Sequence, residues 1–170
     1  MTHTISVLVE NRPGALARVS NMFARRGFNI ESLAVGPTER HDVSRIVLTV
    51  DCPADLLEQI EKQMHKLVNV LRVSTLQAGE AVERELALVR VSADPAGSAD
   101  LIALAEVFDA RVADLGRDSM VFEVVGTPEQ LESFEELLRP HGVIELARTG
   151  RIGLARAATN RTPRRQHVLR

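Results

Sequence analysis

The chain has 170 residues, a formal net charge of −2 and 45% hydrophobic residues, which suits one medium globular domain or two small ones. The near-neutral charge excludes whole-molecule attraction to nucleic acid or to membranes, and the lack of Trp and Tyr argues against a base-stacking platform. The single cysteine, Cys52, excludes an intrachain disulfide and a Cys-rich zinc site, and it suits a reducing cytosol.

Targeting and membrane-spanning segments are not expected. The first residues, MTHTISVLVENRPG, lack the basic region and the long apolar run of a signal peptide. No apolar stretch approaches the roughly 20 residues that a membrane-spanning helix needs. We therefore expect a cytoplasmic protein that binds neither nucleic acid nor membrane.

Hydrophobic periodicity divides the first half of the chain into six elements. It predicts strands at 4–10, 28–36, 43–51 and 69–76, and helices at 14–26 and from Pro53 onward. Gly27 is the predicted C-terminal stop of the first helix. The resulting order is β-α-β-β-α-β.

The second half repeats this order after a polar stretch, 77–84, that is predicted to be a linker. Strands are predicted at 85–93, 110–116, 119–126 and 142–148, and helices at 98–109 and after Thr127. Thr127 begins a capping-box pattern, with Pro128 next and Gln130 three residues on.

Two such units predict an α+β fold with two ferredoxin-like domains, 3–78 and 83–157. Each domain would be a four-stranded antiparallel sheet with its helices on one face. The arginine-rich stretch 158–170 is predicted to be a disordered basic tail.

The loop after the first strand is the best candidate for ligand binding. Asn11 is a good helix-capping type, Pro13 fits the first turn of a helix, and Gly14 permits close approach of another group. A helix N-terminus with free N–H groups can hold a carboxylate or a phosphate. The same residues also suit an ordinary helix cap and tight turn, so residue chemistry alone leaves both interpretations open.

Catalytic and metal-binding motifs are missing from the sequence. There is no G-x-S-x-G, H-E-x-x-H, G-x-x-x-x-G-K-[ST] or C-x-x-C motif, and the histidines are scattered. Asp114, Asp118 and Glu123 are expected to be exposed hairpin charges rather than a metal site, and Cys52 a packing residue rather than a nucleophile. We therefore predict no catalytic residue and no metal site in this chain.

The first unit, with N-x-P-G-A-L after its first strand, resembles an ACT domain, the amino-acid-sensing module of metabolic enzymes. Four segments together resemble the small regulatory subunit of acetohydroxyacid synthase (acetolactate synthase). They are GFNIESLAVGPTE (27–39), LEQIEKQMHKLVNVLRV (57–73), ERELALVRV (83–91) and RTGRIGLAR (148–156). The second unit would then be an ACT-like domain.

This resemblance implies a non-catalytic regulatory subunit in valine, leucine and isoleucine biosynthesis. Such a subunit binds the acetohydroxyacid synthase catalytic subunit, raises its activity and confers feedback inhibition by a branched-chain amino acid, most often valine. Thiamine diphosphate, magnesium and FAD would belong to the catalytic subunit, and this chain would bind no cofactor.

The resemblance also implies an effector site where the ACT domains of two chains pair in a homodimer. The effector-binding residues that it implies are Asn11, Gly14, Ala15, Leu16, Asn29 and Ile30. The first four would receive the amino-acid carboxylate through the Asn side chain and backbone N–H groups. The last two, from the partner chain, would contact the ammonium group and the side chain.

Two alternatives remain at this point. One is a free-standing amino-acid sensor acting on another partner or on transcription, with the arginine tail touching DNA, although no helix-turn-helix is readable. The other is a standalone ACT-type enzyme. The family often has an acidic or hydroxyl residue where this chain has Arg12 and Pro13, so the identity of the effector stays open.

Overall fold

The computed structural model describes residues 1–77, 79–93 and 98–157. The first unit consists of β1 (Thr2–Glu10), α1 (Ala15–Arg26), β2 (Ser32–Pro37), β3 (Val43–Asp51), α2 (Ala54–Met64) and β4 (Val70–Leu76). The second consists of β5 (Ala81–Ser92), α3 (Ser98–Val107), β6 (Arg111–Leu115), β7 (Ser119–Gly126), α4 (Pro128–Leu138), the 3-10 turn Arg139–His141, β8 (Val143–Arg148) and β9 (Ile152–Ala155). The predicted α+β fold is confirmed, and the predicted tail, 158–170, lies outside the described residues.

Both units have the strand order of a ferredoxin-like sheet. The first sheet has the order β2-β3-β1-β4, and the second has β6-β7-β5-β8. Neighbouring strands are antiparallel throughout both sheets. Strands β2 and β4 therefore form the two edges of the first sheet, and β1 lies at its centre beside β3.

Alternation along the strands places one apolar face against the helices of each unit. In the first unit Ile5, Val7 and Leu48 are fully buried with Phe23 of α1 and Ile60 of α2. The second core is built in the same way around aromatic rings. The Phe122 and Phe134 ring centroids lie 6.1 Å apart in an edge-to-face arrangement.

The predicted start of the second strand at Phe28 is wrong, because β2 begins at Ser32. Gly27 ends α1 with a φ of 70°, as predicted, and the Phe28 N–H then donates to the Phe23 carbonyl over 3.0 Å. The Phe28 ring also packs edge-on against Phe23, with centroids 6.2 Å apart. Residues 28–31 therefore wrap around the end of the helix before the chain joins the sheet.

The predicted linker, 77–84, is also wrong in its second half, because β5 already begins at Ala81. Residues 81–84 pair with β9, which the sequence analysis did not predict, in the register Val82↔Leu154 and Arg84↔Ile152. This two-stranded ribbon lies on the helix-free face of the first sheet, because Val82 and Ile152 line one pocket together with Val47. The strand neighbours of Val47, Ile46 and Leu48, belong to the core on the opposite face. A Cβ added to Gly153 would come within 2.7 Å of the Leu76 side chain.

The predicted capping box at Thr127 is confirmed. The Gln130 N–H donates to the Thr127 hydroxyl over 3.3 Å, and the Thr127 N–H donates to the Gln130 side chain over 2.8 Å.

In the part of the chain that the structure describes, no helix has both the length and the hydrophobicity to cross a membrane.

Candidate functional site

The loop between β1 and α1 is held by the turn that precedes β3. The Asn11 N–H donates to the Asp42 carbonyl over 2.8 Å, and the Asn11 Nδ2 donates to the His41 carbonyl over 3.0 Å. Asn11, although of a helix-capping type, therefore does not cap α1, because its side chain joins two loops. The prediction that Pro13 occupies the first helical turn is wrong, because α1 begins at Ala15.

Gly14 leads into α1 in place of a polar cap. Its φ is 84° and ψ is −5°, a left-handed conformation that glycine adopts without strain, and no side chain caps the helix. A Cβ at this position would meet no atom within 4 Å, so the space in front of the helix start is open.

The backbone N–H groups of Leu16 and Ala17, at the start of α1, lack an acceptor within the helix. The N–H groups on either side of them are used. The Ala15 N–H donates to the Arg12 carbonyl over 3.2 Å, and the Arg18 N–H donates to the Gly14 carbonyl over 3.1 Å. Leu16 and Ala17 lie between them, in the first turn, where N–H groups have no acceptor within the helix. These donors and the positive end of the helix dipole suit a carboxylate.

The charges around the loop are largely neutralised by one another. Arg40 donates to both carboxylate oxygens of Asp42, over 3.2 and 2.7 Å, and these hydrogen bonds lower the pKa of the Asp42 carboxyl. The Glu10 carboxylate accepts from Asn69 Nδ2 over 2.8 Å and lies 3.7 Å from Arg12 Nε. The first turn of α1 contains no acidic side chain, so an approaching carboxylate meets no like charge there.

Asn29 and Ile30 lie at the other end of α1. Asn29 is exposed, and its Nδ2 donates to Glu31 Oε1 over 2.5 Å. Ile30 is half-buried and packs against the core of the first unit. Because α1 has 12 residues, each rising about 1.5 Å, roughly 18 Å of helix separates this pair from Gly14. One chain by itself does not bring the two groups of predicted effector residues together.

The other candidate groups have ordinary surroundings. Glu123 accepts two hydrogen bonds from Arg111, each 2.9 Å long. Cys52 is buried in the first core, and burial raises the pKa of its thiol, as expected for a packing residue. Within residues 1–77, 79–93 and 98–157, no three His, Cys, Asp or Glu side chains are grouped as for a metal ion.

Sequence reasoning missed the contribution of His41 and Asp42, which hold Asn11 through backbone carbonyls. The only signal in the sequence is the polar stretch 37–42, which is typical of any loop. Backbone acceptors leave no trace in residue type, so this support could be found only in the structure.

The two β-α-β-β-α-β units, the first with a glycine at the N-cap of its first helix, define a protein with an ACT-like fold. Comparison with known proteins gives the family. Residues 5–72 match the family model "AHAS small subunit-like ACT domain", and residues 84–157 match "Small subunit of acetolactate synthase". The probable acetolactate synthase small subunit of Archaeoglobus fulgidus is 47% identical over 156 residues, covering 92% of this chain and 98% of that protein.

Two further comparisons agree. The acetolactate synthase small subunit of Mycolicibacterium smegmatis is 46% identical over 155 residues, covering 91% of each chain. The crystal structure of the acetolactate synthase small subunit from Thermotoga maritima superposes with a TM-score of 0.86 at 38% identity, covering 94% of this chain and 99% of that one. The chain belongs to the acetolactate synthase small-subunit family.

Proposed function

We propose that this chain is the non-catalytic regulatory subunit of acetolactate synthase. It binds the catalytic subunit, raises its activity and makes it sensitive to feedback inhibition by a branched-chain amino acid, with valine as the first candidate. The observation that carries the proposal is membership of the small-subunit family along both units of the chain. Thiamine diphosphate, magnesium and FAD are assigned to the catalytic subunit.

The loop geometry supports an effector carboxylate at the start of α1. Gly14 leaves open space, and Leu16 and Ala17 supply N–H groups that have no acceptor in the helix. Leu16 is 39% exposed, so its side chain can also contact the apolar part of a bound amino acid. An anion at a helix N-terminus is stabilised by the helix dipole.

The sheet topology supports a homodimer seam along β2. Strands β1 and β2 are both antiparallel to β3, and they end beside the same part of it: Glu10 pairs with Val43, and Pro37 pairs with Ser44. The Asn11–Leu16 loop therefore lies at the end of the sheet where β2 finishes. The Asn29–Ile30 segment lies at the opposite end, just before β2 begins.

An antiparallel β2–β2 seam would bring these two ends together across a twofold axis. The start of one β2 would lie beside the end of the other, so the partner subunit's Asn29 and Ile30 would approach the Asn11–Leu16 loop. A seam along β4 would instead leave the Asn29–Ile30 segments at the two outer edges of the joined sheet, because β2 and β4 are the two edges of the first sheet. Symmetry would then generate two effector sites per dimer.

Co-purification tests the partner. The tagged full chain is mixed with the acetolactate synthase catalytic subunit of the same organism and recovered on the tag. The proposal predicts stoichiometric recovery of the catalytic subunit. Retention on DNA at moderate salt without recovery of that subunit would instead indicate a sensor acting on transcription.

A further inference from the structure

The turn between β8 and β9 lies beside the start of β2 in the other unit. Gly150 in this turn has a φ of 75°, which L side chains rarely adopt. A Cβ added there would lie 3.2 Å from the Ser32 Cβ and 3.4 Å from the Leu33 backbone nitrogen. The turn and the start of β2 therefore lie so close together that a side chain at position 150 would have to displace Ser32 or Leu33.

Within the second unit, the turn between β8 and β9 is hydrogen-bonded to β5. The Thr149 N–H donates to the Leu86 carbonyl over 3.0 Å, and the Leu86 N–H donates to the Thr149 hydroxyl over 3.1 Å. The Glu85 carboxylate, only 7% exposed, lies 2.7 Å from Arg148 Nη2 and 3.4 Å from Arg151 Nε. A buried carboxylate held by two guanidinium groups, one on each side of the turn, fixes the turn to the second sheet.

On the other side, Ser32 is linked to the predicted effector segment. The hydroxyl oxygens of Ser32 and Thr49 are 2.7 Å apart, and the Glu31 N–H donates to the Thr49 carbonyl over 2.9 Å. Glu31 in turn accepts from Asn29 Nδ2. Ser32 thus lies three residues after Asn29 in a segment that is held by hydrogen bonds at Ser32, Glu31 and Asn29.

We propose that the 148–151 turn positions the Asn29–Ile30 segment for the effector and reports its movement to the second unit. Gly150 and Ser32 are positioning residues that touch no effector themselves. The proposal rests on the proposed function, because it takes Asn29 and Ile30 as effector contacts. It adds that the two units are coupled at this contact between Gly150 and the start of β2.

The test uses the full chain reconstituted with the catalytic subunit and titrated with valine. Gly150→Ala drives a methyl group toward Ser32, and Ser32→Gly opens a gap at the same contact. Gly142→Ala is the matched control: Gly142 has a φ of 83°, but its added Cβ would meet only Ser92, at an ordinary 3.5 Å within the second unit. The control therefore reproduces the backbone strain without disturbing the contact between units.

The proposal predicts that Gly150→Ala and Ser32→Gly each change the valine concentration for half-inhibition at least fivefold. Stimulation at zero valine stays within about twofold of the wild type, and Gly142→Ala changes valine sensitivity less than twofold. Should Gly150→Ala fail to fold, Ser32→Gly decides alone.

Two results would overturn the proposal, and they are distinguishable. In the first, valine inhibits the wild-type enzyme, but the folded variants keep its sensitivity or the control changes as much as they do. That result would remove the positioning role alone. A wild-type enzyme that valine neither binds nor inhibits would remove the proposed effector function and this inference with it.

Discussion

Asn11 and His41 are joined by a hydrogen bond of 3.0 Å from the Asn11 Nδ2 to the His41 carbonyl, across 30 residues of sequence. The bond fixes the loop that leads to the open helix start at Gly14. One amide hydrogen of Asn11 is therefore used within the protein, while the second remains available to an effector. The side chain both holds the loop and offers a donor.

Replacing Asn11 with Ala should lower both stability and effector affinity. Loss of an ordinary hydrogen bond costs about 0.5–1.5 kcal/mol of the free energy of unfolding. We expect a reduced urea midpoint for the variant together with weaker valine binding by calorimetry. Unchanged valine affinity in a variant of reduced stability would show that Asn11 only holds the loop.

Gly14→Asp should weaken feedback inhibition while leaving stimulation of the catalytic subunit intact. The new carboxylate would occupy the open space before α1 and repel the effector carboxylate. Gly14→Asn is the matched control, because Asn has nearly the same shape and tolerates the same left-handed backbone without a charge. We expect the Asp variant to need at least tenfold more valine for half-inhibition than the Asn variant. Equal inhibition of the two would place the effector elsewhere.

Asn29→Ala separates a sensing role from a structural one. Asn29 is exposed and bonds only Glu31 among the residues described, so its loss should change the melting temperature little. A hydrogen bond to the effector ammonium group is worth about 1.5–3 kcal/mol, and its loss should weaken valine binding roughly ten- to a hundredfold. Thermal melting and valine titration of the reconstituted enzyme measure the two effects together.

The control for this variant is Glu31→Gln, which keeps Asn29 and removes the neighbouring charge. The Gln side chain still offers an oxygen to Asn29. If Asn29 itself contacts the effector, valine affinity should therefore fall less in Glu31→Gln than in Asn29→Ala. A lower melting temperature with unaltered valine sensitivity in Asn29→Ala would remove Asn29 from the site.

Val35→Lys should prevent dimerisation. Val35 lies in the edge strand β2 and is 48% exposed, and a lysine on an edge strand opposes pairing with another strand. Val68→Lys is the control, since Val68 is 83% exposed and lies outside the strands. Sedimentation velocity of the full chain at tens of micromolar should give a dimer for the wild type and the control and a monomer for Val35→Lys. A dimeric Val35→Lys would move the seam away from β2.

Periodicity in the sequence predicts most of this fold for a simple reason: both cores are built from one face of each strand and helix. Periodicity mispredicts a segment whose structure depends on packing or pairing with another element of the fold. Residues 28–31 alternate like a strand but are drawn onto the end of α1 by Phe28. Strand β9 has only four residues, and its partner at 81–84 lies some 70 residues earlier.

The candidate site was predictable only in part. The left-handed conformation of Gly14 could be anticipated from the sequence, because glycine is the residue that adopts a positive φ most readily in a tight turn before a helix. The role of Asn11 could not, because its partners are backbone carbonyls of a distant turn. The proposed relation between the Asn11 loop and Asn29 would require a second chain, and a single sequence contains no direct record of how two copies pair.

Reconstitution with the catalytic subunit tests most directly whether this chain is a regulatory subunit. The purified chain is assayed for acetolactate formation from pyruvate, alone and with its catalytic subunit, with thiamine diphosphate, magnesium and FAD supplied and valine titrated. We expect no turnover by the chain alone, a higher rate for the catalytic subunit when the chain is added, and valine inhibition that appears only with the chain present. Turnover by the isolated chain, or a mixture whose rate and valine response equal those of the catalytic subunit alone, would contradict it.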